Sequence, residues 1–227
     1  MSSLALASQV VPVGRSSADL VTRMLALITV FLLTLDRHVT SSLALAEFSS
    51  TLVFTVALLG LALTDGRTGA FGLRRTPTQG WGYWTRLALV FGVMISGLLL
   101  VAICVAWMTH WQLHVPKRTL EQAVHSIYWF CLYAPVVEET GYRMLLTVAL
   151  LPAIGPWGTV AASGVIFGAA HVIGGNPGLD NLVAGFFLQW AYLRSGSILV
   201  PLAMHSAGNA CALTSQVVNW SMLPDVI

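Results

Sequence analysis

The sequence predicts an all-α protein, a polytopic transmembrane bundle of about seven helices (about six to eight). Three observations lead there. The chain is 56% hydrophobic and only 9% charged over 227 residues, where a soluble domain carries about 25% charged residues. Its apolar residues fall into runs close to the roughly 20 residues a straight span needs, separated by short polar, glycine- and proline-containing segments. Most of the nine acidic residues sit at the edges of those runs, where loops belong; Glu138 and Glu139 do not.

Taken in order, residues 1–19 form a polar tail (Ser2, Ser3, Arg15, Ser16, Ser17, Asp19), unlike the short basic leader of a cleaved signal peptide. Residues 20–35 are the first span, closed by Asp36-Arg37-His38, and residues 43–64 the second, with Glu47 read as a helix-end charge. A polar segment covers 65–86, where Trp81, Tyr83 and Trp84 suit an interfacial belt. The third span is 87–108, and a long fourth segment, 122–151, contains the acidic pair. Proline and glycine crowd at 151–157 and break the helix there. A fifth span (158–172), a turn (174–178), a sixth span (179–193), a tight turn (194–197) and a seventh span (198–218) complete the chain. The fifth and sixth are short, which implies tilt or a partly re-entrant segment. No internal repeat is visible, and residues 1–227 read as one integral membrane domain with a motif-bearing core at 122–215.

With the N-terminus inside, Arg15, Arg23, Arg67, Arg74, Arg75, Arg86 and Arg194 fall on the cytoplasmic side, and Arg37, Lys117 and Arg118 fall outside. The positive-inside rule therefore predicts a cytoplasmic N-terminus, and the expected location is a prokaryotic plasma (inner) membrane. On this frame His171 lies toward the outer end of its span and Glu138 near mid-membrane. A net charge of +2 without a basic tract excludes a nucleic-acid partner. Cys104, Cys131 and Cys211 lie in apolar segments with no metal-type spacing and read as buried thiols.

Ionisable groups at membrane depth are costly and mark function. On a helix Glu139 and Arg143 are four apart, share a face and stand in the favoured acid-before-base order. Glu138 is rotated by about 100° from Glu139, and two adjacent carboxylates in a poorly solvated site do not both ionise cheaply. With Arg143 holding Glu139 as a carboxylate, Glu138 is the group free to take and return a proton. A charge-balanced structural cluster is the plainer alternative. Two further apolar helices carry His171, one turn after Phe167 and among glycines and alanines that admit a close neighbour, and His205 with Asn209, four apart on one face. Taken singly, each histidine is more often a packing residue. His38, His110, His114 and His125 sit in or near loops and read as ordinary surface or interfacial groups.

The series Glu138-Glu139-x-x-x-Arg143, Phe167-x-x-x-His171 and His205-x-x-x-Asn209 resembles the CAAX prenyl endopeptidase and bacteriocin-processing (CPBP) family of intramembrane glutamic proteases. Phe71-Gly72-Leu73-Arg74-Arg75 looks like a weaker feature of the same family; Met144 departs from it, since many members carry glycine there. The resemblance implies an intramembrane endopeptidase. Glu138 and His171 would activate water, His205 and Asn209 would stabilise the oxyanion, and Glu139, Arg143 and Phe167 would support them. It implies a membrane-tethered peptide or protein as substrate (a C-a-a-X tail, a leader or a C-terminal anchor), the lipid bilayer as surroundings and no cofactor. A zinc-dependent variant using the same glutamates and histidines is the alternative chemistry, although no H-E-x-x-H spacing is present. A non-catalytic scaffold or immunity protein, or a proton-coupled transporter, is the alternative function; a transporter usually shows inverted repeats.

Overall fold

The computed structural model describes residues 23–31, 72, 74–110, 116–176 and 178–222, and every regular element among them is helical. We label residues 23–31 α1, Gly80–Thr109 α2, Leu120–Ile173 α3, Leu179–Ser195 α4 and Leu199–Met222 α5. The predicted tail 1–19, the second span 43–64 and the orienting residues Arg15, Arg37 and Arg67 lie outside the described residues. So does Phe71 of the weaker motif. α2 and α3 are long and apolar enough to cross a membrane. The chain divides into two compact units, Met1–Thr78 with Val136–Leu202, and Gln79–Pro135 with Ala203–Ile227.

The first unit is built on a hairpin within α3. A straight helix of 54 residues would run about 81 Å, well over twice the roughly 30 Å of a bilayer's hydrocarbon. Gly155 interrupts it, with φ 69° and ψ −179°, a conformation essentially reserved for glycine. Pro152 comes before the break, and Pro156 opens the next helical arm, where its missing N–H costs nothing. The two arms then run antiparallel, because Ser163 Oγ donates to the Tyr142 carbonyl (2.8 Å) and the Tyr142 and Phe167 rings meet edge to face at 5.4 Å. The break predicted at 151–157 is therefore present.

α4 packs on this hairpin through glycines. A Cβ on Gly185 would lie 3.0 Å from the Gly164 Cα, and one on Gly168 would lie 2.9 Å from the Leu182 side chain. The core gathers Tyr142, Leu145, Leu146, Phe167, Tyr192 and Leu193, together with Ala26 and Val30 of α1. Met144 fills this core at 2% exposure, so the departure from glycine is accommodated by packing. Residues 72–78 are stitched to the α4–α5 turn. The Ile198 N–H donates to Gly72 O (2.7 Å), Ser197 Oγ to Arg74 O (2.6 Å), and the Thr78 N–H to Ser195 O (2.8 Å).

The second unit holds α2, the start of α3 and most of α5. α2 begins at Gly80, seven residues before the predicted start at 87, so Trp81, Tyr83 and Trp84 are helical rather than loop residues. Trp84 is buried, and only Trp81 and Tyr83 keep the exposure an interfacial belt requires. α3 opens on a capping box. Thr119 Oγ accepts from the Gln122 N–H, and Gln122 Oε1 accepts from the Thr119 N–H. Arg118 braces α5 by donating to Gln216 Oε1 (2.8 Å) and Ser126 Oγ (2.8 Å). The three cysteines are not buried as expected: Cys104 and Cys211 are exposed and Cys131 half-buried. The reason is that an apolar helix set in lipid need not turn its thiols inward.

Candidate functional site

Glu138 ends a short α-helical stretch between two π-helical ones, Tyr128–Tyr133 and Glu139–Leu145. A π-turn shifts the register of the following side chains and frees backbone carbonyls, and such turns gather at functional sites. Here the freed carbonyls are used: Tyr142 O accepts from Ser163, and Phe130 O accepts from Asn209 Nδ2 at 2.6 Å.

Two carboxylates and a guanidinium are thereby sunk in the first unit. Glu139 and Arg143 are fully buried, and Glu138 is 5% exposed. Arg143 Nε lies 3.1 Å from Glu139 Oε2, an ion pair made by proximity rather than by an aligned hydrogen bond. The Arg143 guanidinium also stands 4.3 Å from the centre of the Phe167 ring, a cation–π contact that neutral packing would not supply. Removing either charge would leave the other buried and uncompensated, so the pair is held by mutual need.

Opposite Glu138, on the returning arm, stands His171. Its Nε2 is 4.0 Å from Glu138 Oε2. Its Nδ1 donates to the Phe167 carbonyl at 3.0 Å; a carbonyl only accepts, so that contact places a proton on Nδ1. Nε2 is then the nitrogen that faces the carboxylate. Four ångströms exceeds a direct hydrogen bond and matches two groups that share a small polar molecule. The Phe167 ring, 4.3 Å from the imidazole, ties His171 to the Arg143 side of the cluster.

The hairpin register sets Glu138 and His171 level with each other. Both lie some 16–17 residues from Gly155, about 24 Å along the arms. The turn is centred at Gly155, and that centring fixes which residues face each other.

The second unit carries His205 and Asn209, both half-buried on α5. Asn209 has a structural engagement that the sequence did not reveal, its bond to Phe130 O. Also missed were Thr147 and Gln189, fully buried and joined by a 2.7 Å hydrogen bond from Gln189 Nε2 to Thr147 Oγ1. The available signal was an amide in the middle of the apolar run 179–193, a polar group a membrane helix keeps only with a partner. Among the described residues, no group of three or more His, Cys, Asp or Glu side chains gathers as a metal site requires.

A buried carboxylate thus lies level with an imidazole on the facing arm of an apolar helical hairpin. The family model for Rce1-like proteins, described as type II CAAX prenyl endopeptidases, matches residues 120–211. The motif-bearing segment is thus similar to that family, over less than half of the chain. No curated protein and no solved structure matched the chain.

Proposed function

We propose that this protein is an intramembrane endopeptidase that hydrolyses a membrane-tethered peptide or protein with water activated by Glu138 and His171. The observation that carries the reading is the 4.0 Å separation of Glu138 Oε2 and His171 Nε2, with Nδ1 of that ring engaged by Phe167 O. Water held between the two groups gives a proton to Glu138 as its oxygen adds to the peptide carbonyl carbon. The carbonyl oxygen becomes an oxyanion, for which His205 and Asn209 are the proposed donors; Asn209 has a second amide hydrogen beyond the one given to Phe130 O. Collapse breaks the C–N bond, and the proton passes to the departing amine. Glu139, Arg143 and Phe167 fix the charge and position of Glu138 and His171.

In this proposal residues 1–227 act as one protease domain of about seven spans, in a prokaryotic plasma membrane with the N-terminus cytoplasmic. Cleavage of a membrane-tethered peptide by purified wild type, Glu138→Gln and His171→Ala, with and without chelator, tests it. Cleavage by wild type alone, indifferent to chelator, is the expected result. Loss of wild-type cleavage on chelation moves the chemistry to zinc, and cleavage by Glu138→Gln removes Glu138 from it.

A further inference from the structure

Gln189 takes no part in the mechanism above, yet it is buried completely in the middle of an apolar helix. Its Nε2 donates to Thr147, which leaves Oε1 without a hydrogen-bond partner among the described residues. The same is true of Arg143 Nη1 and Nη2, also fully buried. Buried polar atoms in such numbers are rare in native structures and call for a reason.

Two paths bring these open groups into one layer of the core. Along α3, Thr147 follows Arg143 by four residues and so lies on the same side of the helix. Along α4, Gln189 follows Gly185 by four residues, and a Cβ on Gly185 would lie 3.3 Å from Phe167 Cβ. Phe167 in turn carries the Arg143 guanidinium against its ring. The chemistry of the open atoms fits as well: with Nε2 given to Thr147, the atom of Gln189 left open is an acceptor, and those of Arg143 are donors.

We propose that Gln189 is a positioning residue for Arg143, its Oε1 serving as acceptor to the guanidinium Nη donors across at most one water, with Thr147 as the anchor that aims it. Gln189 thereby acts through Arg143 and Glu139 on Glu138, and its catalytic consequence rests on the protease reading given above.

The test uses full-length wild type and the variants Gln189→Met, Gln189→Glu and Thr147→Val, purified in one detergent. Nitrogen NMR of the arginine side chains, with Arg143 assigned by its through-space contact to the Phe167 ring, reads whether the Arg143 Nη groups are held or rotate freely. Separate, slowly exchanging Nη signals are expected in wild type and Gln189→Glu, and averaged signals in Gln189→Met and Thr147→Val. On a membrane-tethered peptide, Gln189→Met lowers kcat about tenfold with KM within about twofold, and Gln189→Glu restores most of it. Unchanged Arg143 signals in Gln189→Met overturn the proposal, as does an equal loss of kcat in the Met and Glu variants. Should Gln189→Met fail to fold, Thr147→Val decides alone, by the same signals. A wild type that cleaves nothing defeats the protease reading, while the NMR still settles the positioning role.

Discussion

α2 and the α3 hairpin are both long apolar helices, and they use that apolarity in opposite ways. None of α2's most apolar stretch is buried within the protein, whereas half of α3's is. Leu89, Val93 and Leu98 face outward, and a Cβ on Gly92 or Gly97 would touch nothing within 4 Å. In α3 and its partner α4, the glycines are contact points and the buried side chains include two carboxylates, a guanidinium and several hydroxyls. Lipid is as apolar as leucine, so leucine-rich surface alone gives no drive for helices to associate. Close glycine packing and buried polar pairs supply it, and the hairpin and α4 have both. α2 is suited to meeting lipid; α3 is suited to enclosing a site.

The contrast predicts where changes will matter. The largest effect is expected at the acid–base pair. Glu138→Gln or His171→Ala should lower cleavage by about 10³-fold or more, with the unfolding midpoint near wild type. A parallel loss of folded protein would instead assign these groups to stability. Next comes Arg143→Ala, which strands Glu139 in the core and should destabilise by about 3–5 kcal/mol, read as loss of folded protein in detergent. Arg143→Lys should rescue poorly, because a lysine lacks the flat guanidinium that lies against Phe167. Gly185→Val should cost about 1–3 kcal/mol in thermal or denaturant unfolding, since its side chain would meet the backbone of Gly164. Smallest is Gly97→Ala in α2, expected within about 0.5 kcal/mol of wild type by the same measurement. Equal effects at Gly185 and Gly97 would erase the distinction between the two helices.

Local chemistry made part of this legible from sequence. Pro152, Gly155 and Pro156 announce a break wherever they occur in a helix, and the break is there. The spacing of Glu139 and Arg143 announces a pair, and 3.1 Å separates them. The glycines flanking His171 announced a close neighbour, and α4 takes that place. What sequence did not show depends on register between distant segments. The level of Glu138 against His171 follows from where the hairpin turns. The partnership of Thr147 with Gln189 spans 42 residues, and neither side chain signals the other. The π-turns at Tyr128–Tyr133 and Glu139–Leu145 keep helical composition, so periodicity could not separate them from α-helix. Exposed Cys104 and Cys211 were misplaced because a burial rule drawn from water-soluble proteins does not hold where the surroundings are apolar.

The central claim, that a buried glutamate and a histidine level with it turn water into a nucleophile, is most directly tested by isotope. Purified protein cleaving a membrane-tethered peptide in water enriched in heavy oxygen is followed by mass spectrometry of the new C-terminus. Wild type should place one heavy oxygen in that carboxyl group during a single turnover, and equally well-folded Glu138→Gln should yield no product. Product formed by Glu138→Gln at the wild-type rate, labelled or not, would contradict the account.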